Sequence, residues 1–187
     1  MTYSIVARDP DTGELGVAVQ TGTFGVGTGV PWAEAGVGAV ATQSFTEHSY
    51  GPFGLGLMKA GRSAAEALAG LVASDAGQRF RQVGMVDAKG SAAAHTGDGC
   101  IRDCGHRVGD GFTVQANMMA RDTVWDAMGR RVRGRDRDAR AAAARGARRS
   151  GGGGRRLPRG AIGRDPRRQG RGDRLPLEGT SVQPARG

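Results

Sequence analysis

Residues 2–20 read TYSIVARDPDTGELGVAVQ. Tyr3–Arg8 is apolar and β-prone, Asp9-Pro10-Asp11-Thr12-Gly13 is a turn cluster, and Leu15–Gln20 is strand-like again. The stretch predicts a β-hairpin that starts at the second residue of the chain. Outward from it, a Gly-rich loop, Thr21–Val30, and Pro31-Trp32 lead to a third strand, Gly36–Gln43, whose small side chains allow close packing. Gly51–Ala60 predicts a short helix. Ser63 and Glu66 have capping-box spacing, so Ala64–Ala73 continues as a second helix. Val83–Asp87 and Ser91–His95 flank Ala88-Lys89-Gly90 as another hairpin, Phe112–Met118 is a further strand, and Arg121–Met128 opens a helix. The order β-β-β-α-α-β-β-β-α predicts an α+β fold with helices over antiparallel sheet.

The composition divides the chain in two. Residues 1–128 carry 9 basic and 13 acidic side chains, a net of −4. Residues 129–187 carry 18 arginines, no lysine and 5 acids, a net of +13, and together the parts give the chain's +9. Arg, Gly and Ala make up 39 of those last 59 residues, and only six are large and apolar. Six scattered apolar residues build no face of period 2 or 3.6, so burial there cannot offset conformational entropy. The expected organisation is one domain over 1–128 and a disordered Arg/Gly/Ala-rich tail over 129–187. No apolar run is long enough to span a bilayer, and MTYSIVARDP lacks the pattern of a secretory signal. With two cysteines in such a chain, a cytoplasmic location is expected.

The N-terminus carries the chemistry. Thr2 is small enough for Met1 to be removed, which would leave a threonine with a free α-amine. That amine has a reference pKa of roughly 7.7–8.0, so a useful fraction is free base at neutral pH. One residue then supplies both the nucleophilic hydroxyl and the base that accepts its proton. A strand start also holds the pair rigidly. Met-Thr is a common beginning, however, and the two letters alone do not establish catalysis.

The strings MTYSIVARDPDTGELGVAV, VPWAEAGVGAVATQ, YGPFGLGLMKAG, RQVGMVDAKG, AAAHTG and VQANMM resemble a bacterial and archaeal family, domain-of-unknown-function family 1028. That family looks like the N-terminal-nucleophile hydrolases. The resemblance covers nearly all of residues 1–128. It implies a four-layer αββα sandwich, incomplete here at the C-terminus, with Thr2 at the nucleophile position. The implied reaction is hydrolysis of a small-molecule amide. The alternative is a domain that binds a small molecule or partner without turnover.

Other candidates follow from the same strings. Gln43 and Ser44 end a strand expected beside the first, and Gln115 and Asn117 end another. Amides there could stabilise a tetrahedral oxyanion or simply cap strand ends. His95 could protonate a leaving group, with Thr96 beside it, or serve as a structural hydrogen-bonder. Arg8 could bind a substrate carboxylate, or pair with Asp9 or Asp11. His95, Cys100, Cys104 and His106 are borderline ligands within twelve residues, but their spacing fits no usual zinc motif, and no metal or cofactor is expected. Gly25-Val26-Gly27-Thr28-Gly29 is followed by Pro31-Trp32 rather than a helix, so a dinucleotide loop is rejected.

The tail contains no Phe, Trp or Tyr for base stacking, so no specific nucleic-acid partner is expected despite its arginines. Its basic residues are all Arg, as in an out-of-frame reading of a GC-rich gene. Shifted by one nucleotide, Gly160–Asp173 permits GQSAAILVVKGEG, a closing strand, and Gly129–Arg135 permits AGAFEA, a continued helix. A frameshifted C-terminus is the resulting expectation. A homo-oligomer is left open.

Overall fold

The computed structural model describes residues 1–132 and 134. Two four-stranded antiparallel sheets face each other. The first has the order β2-β1-β8-β7, built from β1 (Thr2–Arg8), β2 (Leu15–Thr21), β7 (Gly105–Gly109) and β8 (Phe112–Asn117). The second has the order β3-β4-β5-β6, from β3 (Pro31–Glu34), β4 (Gly38–Ser44), β5 (Arg81–Asp87) and β6 (Ala92–Thr96). Helices α1 (Tyr50–Lys59) and α2 (Ala64–Ser74) follow β4. A third helix, α3, begins at residue 124 and runs through 132, past Met128. The fold is α+β, as expected. The Arg-rich segment, with its expected disorder and shifted frame, lies outside the described residues apart from this short continuation.

The opening hairpin forms as predicted, in register from Thr2↔Thr21 to Arg8↔Leu15. Asp9 closes the turn: its Oδ1 accepts from the amides of Asp11 and Thr12 at 2.8 and 2.9 Å, and Gly13 takes a φ of 79°. Those amides hold the Asp9 carboxyl below its ordinary pKa.

Two strands escaped the sequence reading, β3 and β7. Both are sheet edges. Pro31 begins β3, a position where an edge strand tolerates proline, and β7 is five residues bounded by glycines. Neither carries a hydrophobic alternation, because an edge strand needs less of one.

Alternation in β1 sends Ser4 and Val6 inward and Tyr3 to the outside. Val6, Ala39, Ala41 and Val86 form the apolar part of the inter-sheet core, with Leu15, Val17 and Val19 packed on it. The second sheet turns Val40, Val83 and Met85 to its other face, against Tyr50, Leu55, Met58, Ala67 and Leu68 of α1 and α2. Gly51 brings α1 so close to Trp32 that a Cβ there would strike the indole. On the far side, Trp125 of α3 lies on Gly105, Asp126 pairs with Arg107, and Gly129 approaches Val114. The layers therefore run helix pair, sheet, sheet, helix.

The capping box is present: Ser63 Oγ accepts from Glu66 N at 3.3 Å, and Ser63 N donates to Glu66 Oε2 at 2.8 Å. Asp87, buried at the end of β5, ties α2 to the sheet. Its carboxylate accepts from Ala64 N at 3.0 Å, Lys89 N at 2.9 Å and Ser91 N at 3.0 Å. Asp87→Ala strands three amides and is expected to cost about 2–3 kcal/mol in urea unfolding. A change within about 0.5 kcal/mol would show that water replaces the carboxylate.

Candidate functional site

Thr2 opens β1, an inner strand of the first sheet. It is held on both sides, opposite Thr21 on β2 and Asn117 on β8. Its hydroxyl lies 2.9 Å from that of Thr21. Thr21 donates to the Met1 carbonyl at 3.1 Å, so the Thr2 proton points toward Thr21. Thr21 Oγ also accepts from Thr23 N at 3.3 Å. The two hydroxyls border a cleft of about 280 Å³ between the ends of the two sheets. The Gly-rich loop forms one wall, with Thr23, Phe24 and Thr28. Gln43, Ser44, Thr46 and His48 form the other. The His48 ring packs against Gly29, where a Cβ would come within 2.8 Å of Nε2. Ser44 has a φ of 71°, a strained conformation of the kind that clusters at functional sites.

Below the cleft the inter-sheet core becomes polar, and its hydrogen bonds have a definite direction. Gln115 Nε2 donates to Ser4 Oγ at 2.8 Å, and Ser4 donates to Gln43 Oε1 at 2.7 Å. Gln43 Nε2 donates to Gln82 Oε1 at 2.7 Å, which also accepts from Asn117 Nδ2 at 3.0 Å. Gln82 Nε2 reaches the Ala116 carbonyl at 2.9 Å and Thr96 Oγ1 at 3.0 Å. Thr96 then meets His106 Nδ1 at 2.8 Å. Burial, with the nearby charges of His95 and Arg107, lowers the His106 pKa. A neutral imidazole accepting from Thr96 completes the chain.

Thr2, Gln43 and Ser44 thus share one cleft. Gln43 does not sit in a strand beside β1, however. It belongs to the facing sheet and reaches β1 through Ser4. Asn117 is beside Thr2 by register, with its amide nitrogen bonded to Gln82. Gln115 is fully buried between the sheets, two residues further from the strand end. Thr96 closes the network on β6. His95 bonds the Gln78 carbonyl at 2.9 Å and does not line the cleft. Arg8 is at the opposite end of β1, roughly 20 Å from Thr2 at about 3.3 Å per residue. There it borders a separate cavity of about 270 Å³ with Lys89 and Asp110.

Cys100 Sγ points to the Arg81 carbonyl at 3.4 Å, and burial raises the Cys104 thiol pKa. Among the described residues, no group of three His, Cys, Asp or Glu side chains is arranged to hold a metal. His48 and Thr21 escaped the sequence reading. His48 stands in a loop without a motif. Thr21 was counted only as the first residue of a glycine-rich connection.

A charged brace supports the loop carrying Thr46 and His48. Asp75 accepts from Arg81 Nε at 2.8 Å, Gly77 N at 2.7 Å and the Tyr50 hydroxyl at 3.2 Å. Arg81 Nη1 donates onward to the Phe45 carbonyl at 2.9 Å. The Arg81 hydrogen bond holds the Asp75 carboxyl below its ordinary pKa, and burial, with the Asp75 charge, pushes Tyr50 up to about 12. A depressed carboxyl stabilises the fold above its unfolded pKa, and that stability is lost as pH falls through the folded value. Asp75→Asn is expected to cost about 1–3 kcal/mol near neutrality, with the difference from wild type shrinking below about pH 4. Urea midpoints measured across pH check this. A difference that persists unchanged at low pH would contradict it.

The fold and site define a two-sheet α+β protein whose first strand presents a threonine to an end cleft. The chain belongs to the family of unknown function DUF1028, whose model matches residues 2–162. It is similar to protein SPO2555 from Silicibacter pomeroyi, a crystal structure of the same family, with a TM-score of 0.66 and 30% identity. The match covers 69% of this chain and 60% of that one, so this chain spans less than two thirds of its relative. No curated protein matches. Among the described residues, no helix is long and apolar enough to cross a membrane.

Proposed function

We propose that the chain is an amide hydrolase of the N-terminal-nucleophile type, on an αββα sandwich, with Thr2 as nucleophile once Met1 is removed. One observation carries this reading: the Thr2 hydroxyl sits at a strand start on the wall of a cleft, 2.9 Å from a second hydroxyl. Thr2 Oγ attacks the amide carbonyl carbon while its α-amine takes the hydroxyl proton. The tetrahedral intermediate expels the amine, which leaves with that proton, and an ester to Thr2 remains. Water, deprotonated by the same α-amine, cleaves the ester and restores the hydroxyl. Ser44 and His48 on the opposite wall are the hydrogen-bond donors assigned to the oxyanion. The free thiols of Cys100 and Cys104 suit a reducing compartment such as the cytoplasm.

The engaged amides of Gln115 and Asn117 favour a second reading. Both spend a donor on the inter-sheet network, which leaves less to hold an oxyanion. The same cleft would then bind a small molecule without turnover. Intact-mass analysis of the chain, followed by an amide panel assayed for product, separates the two. A mass retaining Met1, or ligand binding with no product from the Met1-free chain, decides against hydrolysis.

A further inference from the structure

Resting on that hydrolase reading, we infer that Thr21 is a positioning residue for the Thr2 nucleophile, and that removal of Met1 switches its hydroxyl from accepting the Thr2 proton to donating to the Thr2 oxygen. The two residues face each other by strand register, Thr2 on β1 against Thr21 on β2, and both line the cleft. Their hydroxyl oxygens are 2.9 Å apart. A hydroxyl has one proton and two lone pairs, so the direction of this bond follows from what else each hydroxyl touches.

With Met1 in place the protons run the wrong way for attack. A carbonyl only accepts, so the Thr21 proton is spent on the Met1 oxygen at 3.1 Å. Thr21 also accepts from Thr23 N at 3.3 Å. The proton between the two hydroxyls is therefore that of Thr2, and it points at Thr21 rather than at its own nitrogen. That nitrogen is an amide while Met1 is attached, and it takes no proton. Met1 thus blocks the base and misdirects the proton of the nucleophile at once.

Cleaving Met1 removes both obstacles. The Thr21 proton loses its carbonyl, and Thr2 Oγ1 is an acceptor already within reach at 2.9 Å. The bond from Thr23 N occupies a Thr21 lone pair and leaves the Thr21 proton able to turn. In the free-base form the α-amine accepts the Thr2 proton, so each proton moves one partner along, Thr21 to Thr2 and Thr2 to its own nitrogen. The ammonium form has no lone pair to offer, so this arrangement belongs to the form that reacts. Thr21 then fixes the side-chain rotamer of Thr2 and stabilises its oxygen as negative charge develops during attack. When water cleaves the ester, the same donor faces the departing Thr2 oxygen.

The test uses the full chain with Met1 removed, verified by mass, as the parent, Thr21→Ser and Thr21→Val. Serine keeps the hydroxyl, and valine keeps the shape and strand propensity without it. The probe is p-nitrophenyl acetate: the Thr2 oxygen bonds the acetyl carbon, p-nitrophenolate leaves, and the α-amine takes the hydroxyl proton. Release above that of Thr2→Ala, which retains the amine, counts the hydroxyl alone, and rates are taken per folded chain from urea unfolding. Thr21→Val is expected to lower the acylation rate constant about tenfold or more with little change in KM, and Thr21→Ser to stay within about threefold of the parent. In parallel, three-bond NMR couplings about Thr2 χ1 are expected to show one rotamer in the parent and in Thr21→Ser, and averaging in Thr21→Val. A Thr21→Val chain that acylates at the parent rate overturns the inference, as does a serine variant no faster than the valine one. If the parent releases no p-nitrophenolate above the Thr2→Ala baseline, the hydrolase reading fails. The couplings then decide alone, and a Thr2 rotamer unchanged in Thr21→Val overturns the positioning role.

Discussion

Thr2→Ala is expected to lower kcat/KM for any amide the Met1-free chain hydrolyses by about 10³-fold or more, because it removes the nucleophile while leaving its base in place. Thr2→Ser keeps both hydroxyl and α-amine, so it should retain activity within about tenfold of the parent. The contrast matters because Thr2 also contributes to structure. Its side chain bonds Thr21, and its backbone pairs with strands on both sides. A merely structural threonine would make the alanine variant less stable and its loss of activity proportional to unfolding. The nucleophile reading requires a folded, ligand-binding and inactive Thr2→Ala protein. An alanine variant that turns over amide at the parent rate would remove Thr2 from the chemistry.

Gly84→Ala is expected to destabilise the fold by about 3 kcal/mol, seen as a fall in urea midpoint with little change in slope. Gly84 lies at the centre of β5, on the face turned toward the other sheet. A Cβ there would collide with both Gln115 Oε1 and Thr113 Oγ1. Those are also two buried polar atoms for which no hydrogen-bond partner is found among the described residues. Their positions over the glycine allow weak contacts with its Cα hydrogens, which no other residue can offer at that spacing. An added methyl therefore forces Gln115 to move, and Gln115 donates to Ser4 in the network beneath the cleft. Gly56→Ala and Gly70→Ala provide the control. Both lie in helices with open space where a Cβ would project, so each is expected to be neutral or to stabilise by up to about 1 kcal/mol. A Gly84→Ala midpoint equal to that of the parent would mean that the inter-sheet packing is looser than its geometry.

Local patterns made much of this legible. The turn residues of Asp9–Gly13 define the first hairpin, and Ser63 with Glu66 starts α2, because both devices act over four or five residues. The edge strands β3 and β7 were hidden. An edge needs little apolar alternation, and their pairing partners lie elsewhere in the chain. Placing Gln43 beside β1 failed for a related reason. Strand periodicity says which residues share a face, but not to which of two sheets a strand belongs.

By itself, the sequence determined that a hydroxyl-bearing residue opens the first strand and that the acidic residues 1–128 are α+β. Tertiary structure alone decided what surrounds that residue. It brought Thr21 and the Ser44–His48 segment to one cleft beside that residue and sent Arg8 to the far end of the same strand. It also committed Gln115 and Asn117 to a buried chain of amides between the sheets. The physical reason is that strand propensity and turn chemistry are short-range, whereas strand pairing and sheet stacking join positions far apart in the chain, Thr2 with Asn117 across one sheet and Ser4 with Gln43 between the two.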